Sequence, residues 1–279
     1  MSDDLPIAAD GFACGWRRDA ENGQHIAHML KPFTFMAPSD VPEEIDHRAW
    51  DRTENQGQMG SCAGHAAADC AETCNFIGTG GAVIQISRMF CYLKGQQESG
   101  FFGRDQGAAI SGCIGSLNRN GAPLEETFPY PSRYTTSIPE EAIAQAKQHL
   151  IKSVSNLHNY DQIFAFLAMG VGAVEIGIDW TAGLASNRSG VIELSNCGGG
   201  SYGGHALCLN GYSRRVDARG RKYIWLHNSH GESWGNKGWA EVSPDVIDRW
   251  THGAGDGEFM GVSDMETYGQ RYVDTTRFG

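Results

Sequence analysis

The sequence predicts an α+β protein in which a helical half precedes a β-rich half. Three observations carry that expectation. In the first half, apolar residues recur with a helical period, as in Ile110, Cys113, Ile114 and Leu117. Beyond residue 170 the period changes to alternation, as in Val174, Ile176 and Ile178. A loop of Gly, Ser and Asn from Gly183 to Tyr202 then leads into two further strand-like runs. The length of 279 residues fits one large domain or two modest ones, and the 41% hydrophobic and 20% charged composition is that of an ordinary buried core.

Residues 1 to about 40 show weak periodicity and several breakers. Cys14, His25 and His28 stand at irregular spacing, unlike a metal-ligand set, so no metal or cofactor is expected. The first firm element starts at Ser61, a good N-cap, and runs through Ala66, Ala67, Ala68, Cys70 and Cys74 to about Ile77, with Gly78 to Gly81 as its stop. A short helix from Ile86 to about Lys94 should end in a polar loop containing Gly95, Gly100 and Gly103. The helix with the periodic face spans 107–120, closed by Gly121. Further helices are expected near Pro139 to Leu150 and Asp161 to Met169. The last two strands, His205 to Tyr212 and Lys222 to Asn228, read as an antiparallel hairpin across the polar connection 213–221. A regular register would place Tyr212 opposite Arg221 and His205 opposite Asn228.

Composition limits the function classes. A net charge of −11 argues against a nucleic-acid backbone or an anionic membrane surface as partner. The acidic start Met-Ser-Asp-Asp-Leu-Pro has no basic or apolar signal region, and no apolar run approaches a membrane span. Cys70, Cys113 and Cys208, among eight cysteines, fall on apolar faces of expected elements, as buried free thiols do. These features together point to a reducing, cytoplasmic setting.

Cys62 stands apart from the other thiols. It lies in the first turn of its helix, where unpaired N–H groups and the positive end of the macrodipole favour a thiolate over a thiol. Asn55-Gln56-Gly57-Gln58-Met59-Gly60-Ser61-Cys62 resembles the active-site signature of papain-like cysteine peptidases (the C1 family), with Gln56 six residues before the cysteine. Gly203-Gly204-His205-Ala206-Leu207 looks like that family's histidine strand. Tyr223 to Ser229, with Gly231, Trp234-Gly235 and Gly238-Trp239, looks like its asparagine segment. The wording around Cys62 is most similar to bacterial and viral members that read D-Q-G-Q-x-G-S-C-x-x-H-A and carry no long inhibitory propeptide.

The resemblance implies a papain-like fold: a helical left subdomain, a β-barrel-like right subdomain, and the active-site cleft between them. It implies a short leader (1–40) and a catalytic domain (41–279), the latter divided near 54–137 and 138–260 and followed by a tail from about 261. Cys62 would be the nucleophile, His205 its ion-pair partner and proton donor, and Asn228 the group orienting the imidazole. Gln56 and the Cys62 N–H would stabilise the oxyanion. Gln106, Gly107 and Gly204 would hold the backbone of an extended peptide or protein substrate. Met59 stands where secreted relatives place a disulfide cysteine, in keeping with a reducing compartment. Gly15-Trp16-Arg17-Arg18-Asp19 resembles a short leader of bacterial relatives, and Val41 to Arg48 the first extended segment.

Other histidines carry less weight. His65, one turn after Cys62, reads as a packed histidine, and His227 alternates to the face opposite Asn228. His230 and Ala63 stand where the family usually has Trp, so a less sheltered site is expected, with His230 beside the His205–Asn228 pair. Two other readings stay open at this point. One is a papain-fold binding or structural component, for example with a virion or other assembly partner. The other is an amidase or murein peptidase using the same triad.

Overall fold

The computed structural model describes residues 5–19, 30, 41–252, 257–263 and 266–267. His25, His28 and most of the expected C-terminal tail lie outside the described residues.

Three helices fill the first half: α1 (Cys62–Thr79), α2 (Arg88–Ser99) and α3 (Ile110–Arg119). Helix α1 is buried on every side from Cys62 to Asn75, which explains its run of alanines. Its stop is Gly80, in the left-handed region at φ 71°, where the N–H caps Ile77 O. Ser61 precedes the helix without a side-chain cap bond, because its Oγ is taken by the Tyr130 hydroxyl at 2.5 Å. Helix α2 starts at a Ser87 cap and continues through Gly95 instead of ending there. The reason is packing: a Cβ at Gly95 would come 2.2 Å from the Cys113 sulfur, so this glycine brings α2 against α3.

The second half begins with α4 (Glu140–Ala146), β1 (His149–Leu150), β2 (Ser153–Asn156) and α5 (Tyr160–Ala168). Next come β3 (Gly172–Thr181), α6 (Ala182–Ala185), β4 (Val191–Ile192), β5 (Ser201–Val216) and β6 (Lys222–His227). The chain finishes with β7 (Trp239–Val242), α7 (Pro244–Thr251), β8 (Glu258–Ser263) and β9 (Glu266–Thr267). Seven strands form one sheet in the order β2-β8-β3-β5-β6-β7-β4, antiparallel except for β4 with β7, while β1 and β9 pair separately. One core joins α1, α2 and α3 to the near face of the sheet, and a second lies on its far side around Trp180, Trp234 and Tyr212. No helix among the described residues is long and apolar enough to cross a membrane.

The β5–β6 hairpin departs from the expected register. Cys208 pairs with His227 and Leu209 with Leu226, then the register shifts before Gly211–Trp225 and again before Val216–Lys222. A compact turn causes the second offset: Asp217 Oδ1 accepts the N–H groups of Arg219 and Arg221, which tightens the connection and lengthens β5. His205 is therefore not directly opposite Asn228. The two side chains still meet, because diagonal neighbours on one face lie within reach of long side chains.

Candidate active site

Cys62 opens α1 and is fully buried. Burial pushes its thiol up to about 11, against the pull of backbone N–H groups of Ala206, Gly15 and Ala63 directed at the sulfur. The depressed pKa expected from the helix position is thus reversed in this form, and the reason is the covering of the site. Gly15, one of the groups on the sulfur, belongs to the N-terminal segment.

His205 Nε2 and Asn228 Oδ1 are 2.8 Å apart. The amide oxygen only accepts, so Nε2 carries the proton and Nδ1 is left with a lone pair. That nitrogen has no hydrogen-bond partner among the described residues. Burial holds His205 well below the usual histidine range, and His230 beside it pushes the same way, against the Asn228 bond. Gln56 is locked by its neighbours: Oε1 accepts from Ser229 Oγ at 2.7 Å, and its own N–H donates to Ser229 O. Its Nε2 donates to Met59 O at 2.9 Å and to Ala13 O at 3.0 Å.

A peptide therefore already lies in the cleft, and it is the chain's own residues 13–17. Trp16 N–H donates to Gly204 O, Arg17 N–H to Ala108 O, and Ala108 N–H to Gly15 O. Arg17 Nε reaches Gln106 O at 2.7 Å. Gly107, Gln106 and Gly204, read from the sequence as substrate contacts, all touch this segment. The fit depends on missing side chains: a Cβ at Gly107 would lie 2.0 Å from Gly15 O, and one at Gly15 would lie 2.0 Å from Gly60 O. Asp105 braces both walls, since Oδ1 accepts the Gly60 N–H and the Tyr92 hydroxyl, and that hydroxyl in turn accepts the Gly107 N–H. Neither Asp105 nor Tyr92 is legible as a site residue in the sequence, because each acts through backbone distant in the chain.

His230 is fully buried beside His205, with ring centroids 4.4 Å apart. The site is sheltered, contrary to the expectation from the missing Trp. Trp180 packs on His205 at 4.6 Å, and Phe12 stacks on His230 at 4.2 Å and 8°. His230 Nδ1 bonds Asp10 Oδ2 at 2.9 Å, so Asp10 and Phe12 fasten the segment over His230. Burial holds His230 below the ordinary histidine value, and the Asp10 bond opposes that shift. His65 is a packed histidine, bonded to Ser61 O and edge-on to Tyr130. His227 faces away from Asn228, as its alternation predicts, toward Asp51 and Asp69.

Comparison with known proteins places these features in context. The family model described as "Papain family cysteine protease" matches residues 41–251. The chain is 28% identical over 204 residues to cathepsin J of Mus musculus, covering 68% of this chain and 56% of the relative. It is 27% identical over 218 residues to fruit bromelain of Ananas comosus, covering 75% of this chain and 56% of the relative. The alignments thus span little more than half the length of these curated relatives. Among solved structures, xylellain, a cysteine protease from Xylella fastidiosa, superposes with a TM-score of 0.73 over 93% of this chain and 97% of its own, at 20% identity. The bromelain protease from Ananas comosus superposes with a TM-score of 0.61 over 80% and 99%, at 21% identity.

Proposed function

Because the chain belongs to the papain family of cysteine proteases, we propose that it is a cysteine-type endopeptidase acting through Cys62, His205 and Asn228, held here in a self-blocked form. The observation that carries this reading is the grip of Gln56 Nε2 on the Ala13 carbonyl at 3.0 Å, with the Gly15 N–H directed at the Cys62 sulfur. A backbone amide lies where a substrate amide has to lie.

The chemistry follows from the groups present. Once residues 13–17 leave, Cys62 regains the solvation and the helix N-terminus that favour its thiolate, and the His205 Nδ1 lone pair takes the thiol proton. The sulfur attacks the carbonyl carbon of a bound peptide, and the oxyanion accepts hydrogen bonds from Gln56 Nε2 and the Cys62 N–H. The C–N bond breaks as His205 delivers its proton to the leaving amine, giving a thioester. Water, deprotonated by His205, then attacks the thioester and releases the acid and the thiol. Asn228 holds the imidazole with Nε2 protonated throughout.

In this reading, Gln106, Gly107 and Gly204 bind the backbone of a peptide or protein substrate, in the groove that residues 15–17 occupy. Residues 1–40 act as a leader, and 41–279 as the catalytic domain, with its halves at about 54–137 and 138–260. The eight cysteines are all buried and none forms a disulfide, which supports the cytoplasmic assignment.

The test uses the full chain carrying Asp10→Ala and Phe12→Ala, assayed against a pool of fluorogenic peptides. Hydrolysis that is abolished by the further change Cys62→Ala, with the fold retained by circular dichroism, is the expected result. Hydrolysis that survives Cys62→Ala, or none at all in the opened chain, overturns the assignment.

A further inference from the structure

Behind the reacting groups, on the opposite face of β6, three side chains meet that the proteolytic mechanism does not use. Asp51 comes from the segment before Gln56, Asp69 from the third turn of α1, and His227 from the last position of β6. One ligand atom from each lies within 4.8 Å of the others, and all three residues are buried. His227 Nδ1 stands 3.0 Å from Asp69 Oδ2 and 3.5 Å from Asp51 Oδ2.

The protonation of His227 can be read from its other side. Thr53 Oγ1 donates its hydrogen to Lys237 O at 2.7 Å, so toward His227 Nε2, 3.4 Å away, it can only accept. The Nε2 proton is fixed by that contact, and Trp239 holds the ring flat at 3.9 Å and 5°. In the neutral ring, the Nδ1 lone pair then points at two carboxylates. A proton on Nδ1 would answer this only with an aligned N–H···O bond. Despite the short distances, Nδ1 meets hydrogen-bond geometry with no group among the described residues. Asp51 Oδ1 is likewise without a partner, and so is Oδ1 of Asn210, whose amide nitrogen bonds Asp51 Oδ2 at 2.9 Å.

Charge points the same way. Arg88, the buried guanidinium that adjoins this region, is already engaged by Glu72 at 3.0 Å and Glu54 at 3.1 Å. Among the described residues the two aspartates are left to share His227, so two carboxylates face one imidazole. The separations also suit a shared ion: bonds of 2.0–2.1 Å in a tetrahedron put neighbouring ligand atoms about 3.3 Å apart, between the two distances observed. A ligating histidine usually gives its second N–H to an oxygen acceptor, and Thr53 Oγ1 stands in that place here.

We infer that Asp51, Asp69 and His227 form a buried binding site for one zinc-like divalent cation, with the Asn210 amide holding the Asp51 carboxylate. Two carboxylates and an imidazole suit zinc better than magnesium or calcium, which favour all-oxygen ligands. The ion would tie α1, which carries Cys62, to β6, which leads into Asn228. Its role is structural: it sets the spacing of nucleophile and orienting group from behind.

The experiment is metal analysis of the full-length protein after exposure to zinc and gel filtration. Close to one equivalent per chain is expected, lost in Asp69→Asn and in His227→Gln. The melting temperature of wild type should fall by several degrees on dialysis against a chelator and return when zinc is restored. Absence of stoichiometric metal, with a melting temperature indifferent to chelator and zinc, overturns the inference and leaves His227 as a protonated partner of the aspartates. Zinc retained by both variants also overturns it, since the thiols would then be the ligands. Should the variants fail to fold, cobalt substitution of the wild type decides. Weak visible bands alone fit the oxygen and nitrogen set, and an added thiolate-to-cobalt charge-transfer band contradicts it.

Discussion

The hold of the N-terminal segment on the cleft has a measurable strength, and Asp10 is the residue to remove. Its carboxylate is 5% exposed and bonds His230 Nδ1 at 2.9 Å. Hydrogen bonds to charged groups contribute about 1.5–3 kcal/mol, so Asp10→Ala should raise the population of the open form by roughly 10- to 150-fold at 1.4 kcal/mol per decade. Phe12 stays in place in this variant, so the stack on His230 remains and the segment is loosened instead of lost. The assay is the rate of Cys62 alkylation by iodoacetamide near neutral pH, followed by mass spectrometry of the peptide that contains it. In the closed form, the thiol is fully buried and pushed up to about 11, so wild type should react slowly. The variant should react faster by the stated factor, while the other seven thiols, all buried, stay slow in both proteins. An unchanged Cys62 rate, or acceleration spread over several thiols, would refute the view that this bond keeps the cleft closed.

Three further outcomes are expected. Glu175 is fully buried with both carboxylate oxygens unpartnered among the described residues, and burial raises its pKa well above the usual range. Its folded value exceeds its unfolded value, so it imposes no penalty below about pH 4.3 and a growing one above, at about 1.4 kcal/mol per unit. Glu175→Met should therefore gain stability over wild type as pH rises, measured by urea unfolding at pH 4 and 7, and a constant difference would contradict this. His47 is pushed down to about 4 and His65 to about 3 by burial, with His205 and His230 also lowered. Such groups are neutral in both states at high pH, so their contribution is intact above about pH 6.5 and is lost on acidification, at about 1.4 kcal/mol per unit each. The melting temperature should fall steeply from pH 6.5 to 4, and a flat profile would show that these rings are not buried in solution. Finally, the Cys70 and Cys208 sulfurs lie 3.6 Å apart as a thiol pair without a disulfide, so thermal unfolding with and without a strong reductant should superimpose. A marked drop on reduction would reveal a disulfide.

How much of this was readable beforehand depended on whether a residue's role was local. The Ile110, Cys113, Ile114, Leu117 face predicts α3 because helix period is a local property, and Cys62 at a helix start is local in the same way. The alternation of His227 and Asn228 correctly sends their side chains to opposite faces, although the aspartates that meet His227 come from α1 and from the segment before Gln56. The hairpin register failed for a different reason. Bulges near Gly211 and before Val216 leave no mark in the alternation, and the Asp217 turn shortened a mostly polar connection of nine residues. The environment of His230 was out of reach as well. Its shelter comes from Asp10 and Phe12, more than two hundred residues away in the chain, in a stretch with no period to suggest structure.

The glycines where the leader meets the cleft make restraint and activity unequally fragile. Gly15 is gripped from both sides, by Gly60 and by Gly107. Any side chain at Gly15 expels only the leader and leaves the groove intact for other peptides. A side chain at Gly60 or Gly107 narrows the groove itself, for leader and substrate alike. On the self-blocked reading proposed above, substitution thus has more ways to release the groove than to close it further, and the restraint rests on the absence of one Cβ.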